Sequence, residues 1–345
     1  MSNRSTFDRL NVIRALDQLL WPTALIAARL LAKIPRRRDD VSLIIRPGGM
    51  GDLICLHIAL EQLGLDPRSF LWIIEKRSMP WVQYMNLPHK LIEPKLLFFV
   101  GRYRHIINSE QHYGVSQIIA VALAGRGRNL TAFSTVRGAN VATTVCPYSA
   151  IHTHEIESFR KLLMAAEKMR GYEQDFSRER RHAEDGSLVV ALGGGHAESR
   201  SLELGQWIEI IRKWVGTEHF SIVAGPVETQ IARDIAKVFE GQGEFTSGDF
   251  SENCGKISTA TRVLTMDGGL THVANYFRVP TDTLFTSGQE LLWSPIALGS
   301  RTFLDSELAC RPCTMFGHTP KCQVGFLCKD NLVSFVEPAV EKTKN

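Results

Sequence analysis

Short apolar runs recur along the chain, and most lead into a glycine-rich or polar stretch that is followed by a helical pattern. The run VSLII at 41–45 precedes RPGGMGD, and the run LVVAL at 188–192 precedes GGG. Such runs are typical of strands that are buried on both faces of a parallel sheet. Their alternation with helical segments predicts two series of βα units, joined by a charged linker at 170–186.

The order of these elements predicts the fold class. In the first series we expect strands at 41–45, 70–74, 104–107 and 140–144, and helices at 53–63, 115–122 and 155–169. In the second we expect strands at 188–192, 220–224, 262–266 and 281–285, and helices at 205–214, 228–239 and 271–277. Two such series indicate an α/β protein with two Rossmann-like, doubly wound domains facing each other across a cleft, at 41–175 and 186–330. A C-terminal tail follows at 331–345.

An amphipathic helical extension is predicted within residues 1–40. This segment contains eight basic and four acidic side chains, which accounts for the whole net charge of +4. A stripe of apolar residues with cations beside it, at 19–38, suits either a peripheral membrane contact or packing on the domain surface. The stretch is too short and too charged to span a bilayer, and no signal peptide is evident. We therefore expect a cytoplasmic protein, at most peripheral on the inner face of the cytoplasmic membrane.

Composition narrows the function classes only slightly. The chain has 345 residues, of which 44% are hydrophobic and 22% charged. These values are those of an ordinary globular protein and exclude disorder, collagen and a coiled coil as the main architecture. The net charge is too small to suggest binding to nucleic acid.

The first candidate site follows the first strand. Gly49 and Gly51 allow a sharp turn and close approach of a ligand, and Asp52 lies at the start of the next helix. Asp52 could act on a substrate in the cleft, or it could simply cap the helix. The spacing matches neither a Walker nor a dinucleotide-binding signature.

The second series offers a candidate anion site. Gly194 and Gly195 precede Arg200, whose guanidinium can pair with a phosphate or remain solvated. Glu228 closes another strand and could accept from ribose hydroxyls or favour the start of the following helix.

The strongest local signal is MDGGLTHVA at 266–274. Here a strand ends in an acidic residue and a helix starts after two glycines, which makes an anion site from backbone N–H groups and the hydroxyl of Thr271. The candidates are Asp267, Gly269, Leu270, Thr271 and His272, the last either a ligand contact or a satisfied histidine at the helix start.

Four cysteines cluster near the C-terminus with the pattern C-x2-C-x8-C-x5-C. Cys310, Cys313, Cys322 and Cys328 could hold a structural Zn or Fe ion through four thiolates, or form a reduced, partly buried loop.

Four blocks, in this order, resemble those of glycosyltransferase family 9, the bacterial ADP-heptose:lipopolysaccharide heptosyltransferases. They are LIIRPGGMGDLI, RSLELGQW, IVAGPVETQIARDIA and MDGGLTHVANYFRVPTDTLF, and they span about residues 41–330. The chain departs from the family at Gly268, where Ser or Thr is usual, at Arg200, where Lys is usual, and at Ser201 and Leu202, which replace a basic residue and Trp.

The resemblance implies a GT-B fold and inverting, metal-independent transfer from a nucleotide sugar. Asp52 would be the general base, and Arg200 would bind phosphate. Glu228 would bind the ribose, Asp267 the donor sugar, and residues 269–271 the diphosphate. The implied donor is ADP-heptose and the implied acceptor is the lipopolysaccharide inner core. Cysteine-rich C-terminal loops also occur in relatives that heptosylate autotransporter proteins, so a protein acceptor is an alternative. A non-catalytic nucleotide-sugar-binding scaffold is a third interpretation. No cofactor is required by any of these.

Overall fold

The computed structural model describes residues 21–32, 41–93, 103–124, 129–167, 185–193, 198–314 and 321–339. The chain divides into two compact units, Met1–Gln174 (unit 1) and Asp175–Asn345 (unit 2). Each unit contains a six-stranded sheet in which every described strand pair is parallel. The predicted α/β class with two doubly wound sheets is confirmed.

Unit 1 is built around the sheet order β3-β2-β1-β4-β5-β6. Its elements are α1 (residues 21–31), β1 (Ser42–Arg46), α2 (Met50–Gln62), β2 (Phe70–Ile74), α3 (Met79–Tyr84), β3 (His89–Leu91), β4 (Ile106–Asn108), α4 (Gly114–Ala124), β5 (Leu130–Phe133), β6 (Thr144–Cys146) and α5 (Glu155–Glu167). The strand order reverses between β1 and β4. In open parallel sheets, the carboxyl ends of the strands at such a point are where ligands bind.

Unit 2 repeats this plan with the sheet order β12-β11-β10-β7-β8-β9. Its elements are β7 (Leu188–Leu192), α6 (Leu204–Val215), β8 (Phe220–Ala224), α7 (Thr229–Val238), β9 (Gly243–Ser247), α8 (Phe250–Thr259), β10 (Arg262–Met266), α9 (Gly269–Phe277), β11 (Thr281–Leu284), α10 (Glu290–Trp293), β12 (Arg301–Phe303), α11 (Leu327–Asp330) and α12 (Leu332–Phe335). The order reverses between β7 and β10.

Burial explains why the apolar runs form the central strands. All five residues of β1, and likewise of β7 and β8, are buried, as expected for strands covered by helices on both faces. Helix starts are fixed by local polar contacts. Glu203 and Gln206 form a capping box at α6, and Asp249 accepts the N–H groups of Ser251 and Glu252 at α8.

Helix α1 packs on unit 1. Its Ala28 is buried in the core cluster that also contains Leu43 and Ile45 of β1. A Cβ atom on Gly138 would lie 2.1 Å from Cζ2 of Trp21, so glycine allows this close approach. The rest of the predicted N-terminal extension, at 1–20 and 33–40, lies outside the described residues. Among the described helices, none has the length and apolar character that crossing a bilayer requires.

The structure differs from the sequence prediction mainly at short elements. The strand expected at 140–144 is wrong. A short 3-10 helix occupies Ala139–Val141 after Gly138 at φ +80°, and the strand begins only at Thr144. The expected tail at 331–345 instead contributes α12 to the core, where Leu332 and Val336 are buried. Most of the predicted linker lies outside the described residues. Unpredicted elements are α3, β3, β5, α8, β9, α10, β12 and α11.

Candidate functional site

The carboxyl end of β1, at the switch point of unit 1, carries an ion pair. Arg46 is the last residue of β1 and is 3% exposed, and its Nη2 lies 3.1 Å from Oδ2 of Asp52. Asp52 is in the first turn of α2, and its side chain is 21% exposed. The cap position is Gly49, and no side chain caps this helix, so Asp52 is not its cap. A carboxylate is favoured at a helix start, and this one is open to an incoming group.

The glycines between these residues leave room for the pair. Gly48 has φ +112°, and a Cβ atom there would lie 3.1 Å from Nη2 of Arg46. A Cβ atom on Gly49 would lie 3.4 Å from Oδ2 of Asp52. Gly51 lies inside the first turn of α2. Glycine is therefore needed at 48 for its backbone conformation, and it keeps the carboxylate uncovered at 49.

Polar side chains from the neighbouring strand ends surround Arg46. Nη1 donates to the carbonyl oxygen of Ser109 and, at 3.0 Å, to Oε1 of Gln111, both of which follow β4. Nε2 of Gln111 in turn donates to Oε1 of Glu155. Oε2 of Glu155 accepts from the hydroxyl of Tyr148 at 2.8 Å. The end of β6 and the start of α5 thus join the site.

Burial and charge set the protonation of this cluster. Burial alone would lower the pKa of Arg46, but Asp52, Glu110 and Glu155 raise it above its ordinary value. Burial raises the pKa of Glu155 to about 7; Asp52 adds to this, while Arg46, Tyr148 and Gln111 oppose it. Burial also raises the pKa of the Tyr148 hydroxyl, which therefore acts as a donor.

The switch point of unit 2 brings two glycines into backbone contact. Gly193 follows β7 and Gly268 follows β10, and a Cβ atom on Gly268 would lie 2.8 Å from the oxygen of Gly193. A side chain at position 268 would therefore meet the backbone of Gly193. Asp267 lies beside them and is 6% exposed, and a Cβ atom on Gly288 would lie 2.0 Å from its Oδ2.

A cation with free hydrogen-bonding capacity lies next to Asp267. Nη1 of Arg200 is 3.9 Å from Oδ2 of Asp267, and the Arg200 side chain is 24% exposed. Within the described residues, Nε of Arg200 has no hydrogen-bond partner. Although that Nε is buried, the partly exposed and only loosely paired guanidinium is suited to bind an anion such as a phosphate.

The short helix that carries Arg200 (Glu198–Arg200) is fixed from two sides. The hydroxyl of Thr286 donates to the carbonyl of Ser199, and the hydroxyl of Ser287 donates to that of Ser199 at 2.9 Å. Nζ of the buried Lys329 donates to the carbonyls of Glu198 and Ser201. These contacts position Arg200.

The start of α9 completes the candidate anion site. Gly268 is the cap residue and makes no side-chain cap, so the first N–H groups, from Gly269, Leu270 and Thr271, belong to an uncapped helix start. The hydroxyl of Thr271 is buried and donates to the carbonyl of Met266. Only the backbone N–H group of this residue is therefore a candidate for binding a ligand.

The other two predicted donor residues lie in different surroundings. His272 is 3% exposed, and its ring packs edge-on against Trp293 at 5.7 Å, as expected for a satisfied histidine at a helix start. Glu228 is the cap residue of α7 but forms no side-chain cap, and its Oε2 lies close to Gly225. Gly194 and Gly195 lie outside the described residues.

The four clustered cysteines lie within electrostatic reach of one another. Burial, followed by the neighbouring thiols, raises the pKa of Cys313, and the pKa of Cys328 rises to about 11. However, no group of three or more His, Cys, Asp or Glu side chains in the described part of the chain could hold a metal ion. The thiols as placed therefore do not fit the predicted Zn or Fe ion.

The loop that carries these cysteines contacts the turn at 286–288, which follows β11. The N–H groups of Cys313 and Thr314 donate to the carbonyl of Ser287. Arg311 donates to the carbonyls of Thr286 and Gly288, next to Asp267. The loop therefore supports the 286–288 turn.

Sequence reasoning missed these supporting residues and the cluster around Glu155. One usable signal was an arginine closing an otherwise apolar strand at 46, because a buried cation requires anionic partners. Another was TSG at 286–288 directly after β11, which repeats the strand-to-turn pattern of the other ligand loops. For Gln111, Tyr148 and Glu155 no local signal exists, because their contacts span up to 65 residues.

Solved glycosyltransferases share this architecture. The E. coli heptosyltransferase WaaC, solved with ADP, matches with a TM-score of 0.60 and 15% identity, covering 76% of this chain and 92% of that one. The fold is that of the family 9 heptosyltransferases. E. coli ADP-heptose lipopolysaccharide heptosyltransferase II matches with a TM-score of 0.59 and 11% identity, over 85% of this chain and 96% of that one.

A family 9 glycosyltransferase from Veillonella parvula gives a TM-score of 0.59 at 11% identity, covering 78% of this chain and 86% of that one. The GT-B fold implied by the four sequence blocks is thus confirmed. By sequence, no protein-family model and no curated protein matches the chain.

Proposed function

We propose that the chain is an inverting, metal-independent glycosyltransferase that transfers heptose from ADP-heptose to an acceptor hydroxyl, with the lipopolysaccharide inner core as acceptor. The observation that carries this proposal is the Asp52–Arg46 pair at the switch point of unit 1. The buried cation holds a partly exposed carboxylate in place, where it can accept the proton of an alcohol.

In the proposed reaction, Asp52 accepts the proton of the acceptor hydroxyl. The acceptor oxygen bonds to the anomeric carbon as the bond from that carbon to the ADP oxygen breaks. Attack from the opposite face inverts the configuration, and ADP leaves with the electron pair of the broken bond. This chemistry requires a base, which we assign to unit 1, and groups that stabilise the leaving diphosphate, which we assign to unit 2.

Unit 2 has the groups for the second task. Arg200 offers a partly exposed positive charge, and the start of α9 offers N–H groups at the positive end of a helix. Asp267 would accept from hydroxyls of the donor sugar, and Glu228 from those of the ribose. These groups supply positive charge at the leaving diphosphate without a metal ion.

Two solved structures of similar fold support the donor. The WaaC structures contain ADP in one case and ADP-2-deoxy-2-fluoro heptose in another, the latter with a TM-score of 0.56 and 16% identity. A nucleoside diphosphate sugar is therefore the donor class that this fold suggests.

The outer face of α1 supports a peripheral contact with the inner face of the cytoplasmic membrane. Ile26 and Leu30 are 58% and 57% exposed on this helix, and Arg29 lies beside them. The sequence continues with Lys33 and Arg36–Arg38, whose positive charges would favour an anionic surface. A lipid-linked acceptor agrees with such a contact, whereas a protein acceptor does not need it.

Thermal unfolding with ADP-, GDP-, UDP- and CMP-sugars at matched concentrations tests the donor. A ligand at about 100 times its Kd should stabilise the fold by about 2.7 kcal/mol. We expect a shift with ADP-heptose that is lost in Arg200→Met and kept in Arg233→Met, an exposed arginine on α7. A shift with another nucleotide alone would remove the heptose donor from the proposal.

Transfer assays then distinguish the acceptors. We expect product with a heptose-deficient lipid acceptor and none with autotransporter peptides. The reverse result would establish the protein acceptor, and donor binding without any transfer would favour the scaffold.

A further inference from the structure

Glu155 is a fully buried carboxyl group that has no role in the proposed reaction. It is the first residue of α5 and is 0% exposed. Both of its oxygens accept hydrogen bonds, from Nε2 of Gln111 and, at 2.8 Å, from the hydroxyl of Tyr148. A buried carboxyl is costly, so its presence needs a reason.

Glu155 is connected to Asp52 through two side chains. Because the amide nitrogen of Gln111 donates to Glu155, its amide oxygen faces Arg46 and accepts from Nη1 at 3.0 Å. Nη2 of the same guanidinium then faces Asp52 at 3.1 Å. If the amide were flipped, its NH2 group would face the guanidinium, donor against donor. The acceptor Glu155 therefore determines the orientation that Arg46 requires.

Three carboxylates act on the charge of Arg46: Asp52, Glu110 and Glu155. Among the described residues, the titratable groups around Glu155 and Arg46 include Asp52 and Cys55 of α2, Glu110 and His112 after β4, Tyr148 after β6, and His154 just before α5. The side chain of Glu110 is held by its own loop, since Oε1 accepts from the backbone N–H groups of Gln111, His112 and Tyr113. Asp52 contacts the cation directly, and Glu155 is connected to it through Gln111.

We propose that Glu155 is a positioning residue for the base: it orients Gln111 and, through it, the Arg46 guanidinium that fixes Asp52, and its charge decides how that guanidinium is shared. This inference rests on the proposed function, in which Asp52 is the base. With a pKa of about 7, Glu155 changes its charge within the pH range in which a cytoplasmic enzyme works.

Kinetics as a function of pH test this role. We would measure kcat and KM from pH 5.5 to 9 for the wild type, Glu155→Gln and Glu157→Gln. Glu157 is a matched control, because it lies two residues along the same helix in a surface pair with Arg160. We expect Glu155→Gln to lower kcat about ten-fold with KM within about two-fold, and to lose an ionisation near pH 7. Glu157→Gln should behave as the wild type.

Tyr148→Phe is the second variant, in case Glu155→Gln fails to fold. It keeps the carboxyl group but removes the hydrogen bond that stabilises its charged form, so the ionisation near pH 7 should move to higher pH. An active wild type whose kcat and pH profile are unchanged in both variants would overturn the positioning role.

Failure of the proposed function gives a different result. In that case the wild type transfers no heptose, or Asp52→Asn transfers it normally. A crystal structure of Glu155→Gln then tests, independently of activity, whether Glu155 orients Gln111 and Arg46. We expect the Gln111 amide to turn and Arg46 to move away from Asp52. Unchanged positions of these two side chains would refute the inference even for an inactive protein.

Discussion

The guanidinium of Arg46 lies 3.1 Å from the carboxylate of Asp52, the first group buried and the second partly open to solvent. The pair joins the end of β1 to the first turn of α2, which is the place where the strand order of unit 1 reverses. The proposed chemistry depends on this relationship, because Asp52 has to be accessible and fixed at the same time.

Removing the cation should damage both stability and turnover. Arg46→Met leaves Asp52 and Glu155 without their shared partner, and we expect a loss of about 3–5 kcal/mol in the free energy of unfolding, with kcat reduced as well. Arg46→Lys keeps the charge but has no planar fork to reach Asp52, Gln111 and Ser109 together, so its losses should be intermediate.

Urea unfolding and steady-state rates test whether Arg46→Met loses more stability and more turnover than Arg46→Lys. The matched control is Arg77→Met, which removes an exposed pair with Glu75 and should change stability by less than about 1 kcal/mol. Equal losses for Arg46→Met and Arg77→Met would show that the buried pair has no special role.

Stability should depend on pH through Glu155. Its carboxyl has a pKa of about 7 in the folded chain against an ordinary value of 4.5. Between these values the folded state binds the additional proton, so the stabilisation is complete below pH 4.5 and is lost as the pH rises through 7. The change is on the order of 3 kcal/mol.

The measurement is the free energy of unfolding from pH 5 to 8.5. Glu155→Gln should make this dependence shallower, and Glu157→Gln should leave it as in the wild type. An identical slope in all three proteins would mean that Glu155 does not titrate in this range.

Gly268 should tolerate no side chain. A Cβ atom there meets the backbone oxygen of Gly193 at 2.8 Å, so Gly268→Ser forces the two loops apart at the proposed diphosphate site. We expect a loss of about 1–3 kcal/mol in stability and weaker binding of ADP. Gly255→Ala is the control, because it lies within α8 in open space and should stabilise the chain by about 0.5–1 kcal/mol.

Calorimetry measures the binding of ADP, and thermal unfolding measures the stability. If Gly268→Ser bound ADP as the wild type does, the proposed diphosphate site would not include this contact.

Transfer should survive removal of divalent metal ions. The groups proposed to neutralise the diphosphate are Arg200 and the start of α9, so EDTA at millimolar concentration should leave kcat unchanged within about two-fold. Metal analysis of the same sample shows whether any ion was present at the start. A loss of activity that Mg²⁺ or Mn²⁺ restores would contradict the metal-independent proposal.

The sequence predicted the central strands well because their residues are buried on both faces. The predicted strands at 70–74, 188–192, 220–224 and 262–266 have the bounds that the structure shows. The edge strands β3, β9 and β12 and the internal strand β5 were not predicted, since each is short or mixes polar with apolar residues. Their place is set by pairing with a neighbouring strand.

The sequence located the loops of the site but not what fixes them. Asp52, Asp267 and Arg200 stand out because each follows a strand or a glycine-rich turn. Glu155 and Gln111 do not, because only the fold brings the ends of β1, β4 and β6 together. Thr271 was predicted to offer its hydroxyl, but the hydroxyl satisfies the carbonyl of Met266, a local competition that a spacing pattern does not reveal.

The most direct test of the central claim is transfer of heptose from ADP-heptose by the wild type and by Asp52→Asn, with ADP-heptose affinity measured on the same samples. We expect turnover by the wild type, at most about 1% of it in the variant, and equal donor affinity, because the variant removes only the base. Retained turnover in Asp52→Asn would contradict the claim that this carboxylate accepts the proton of the acceptor.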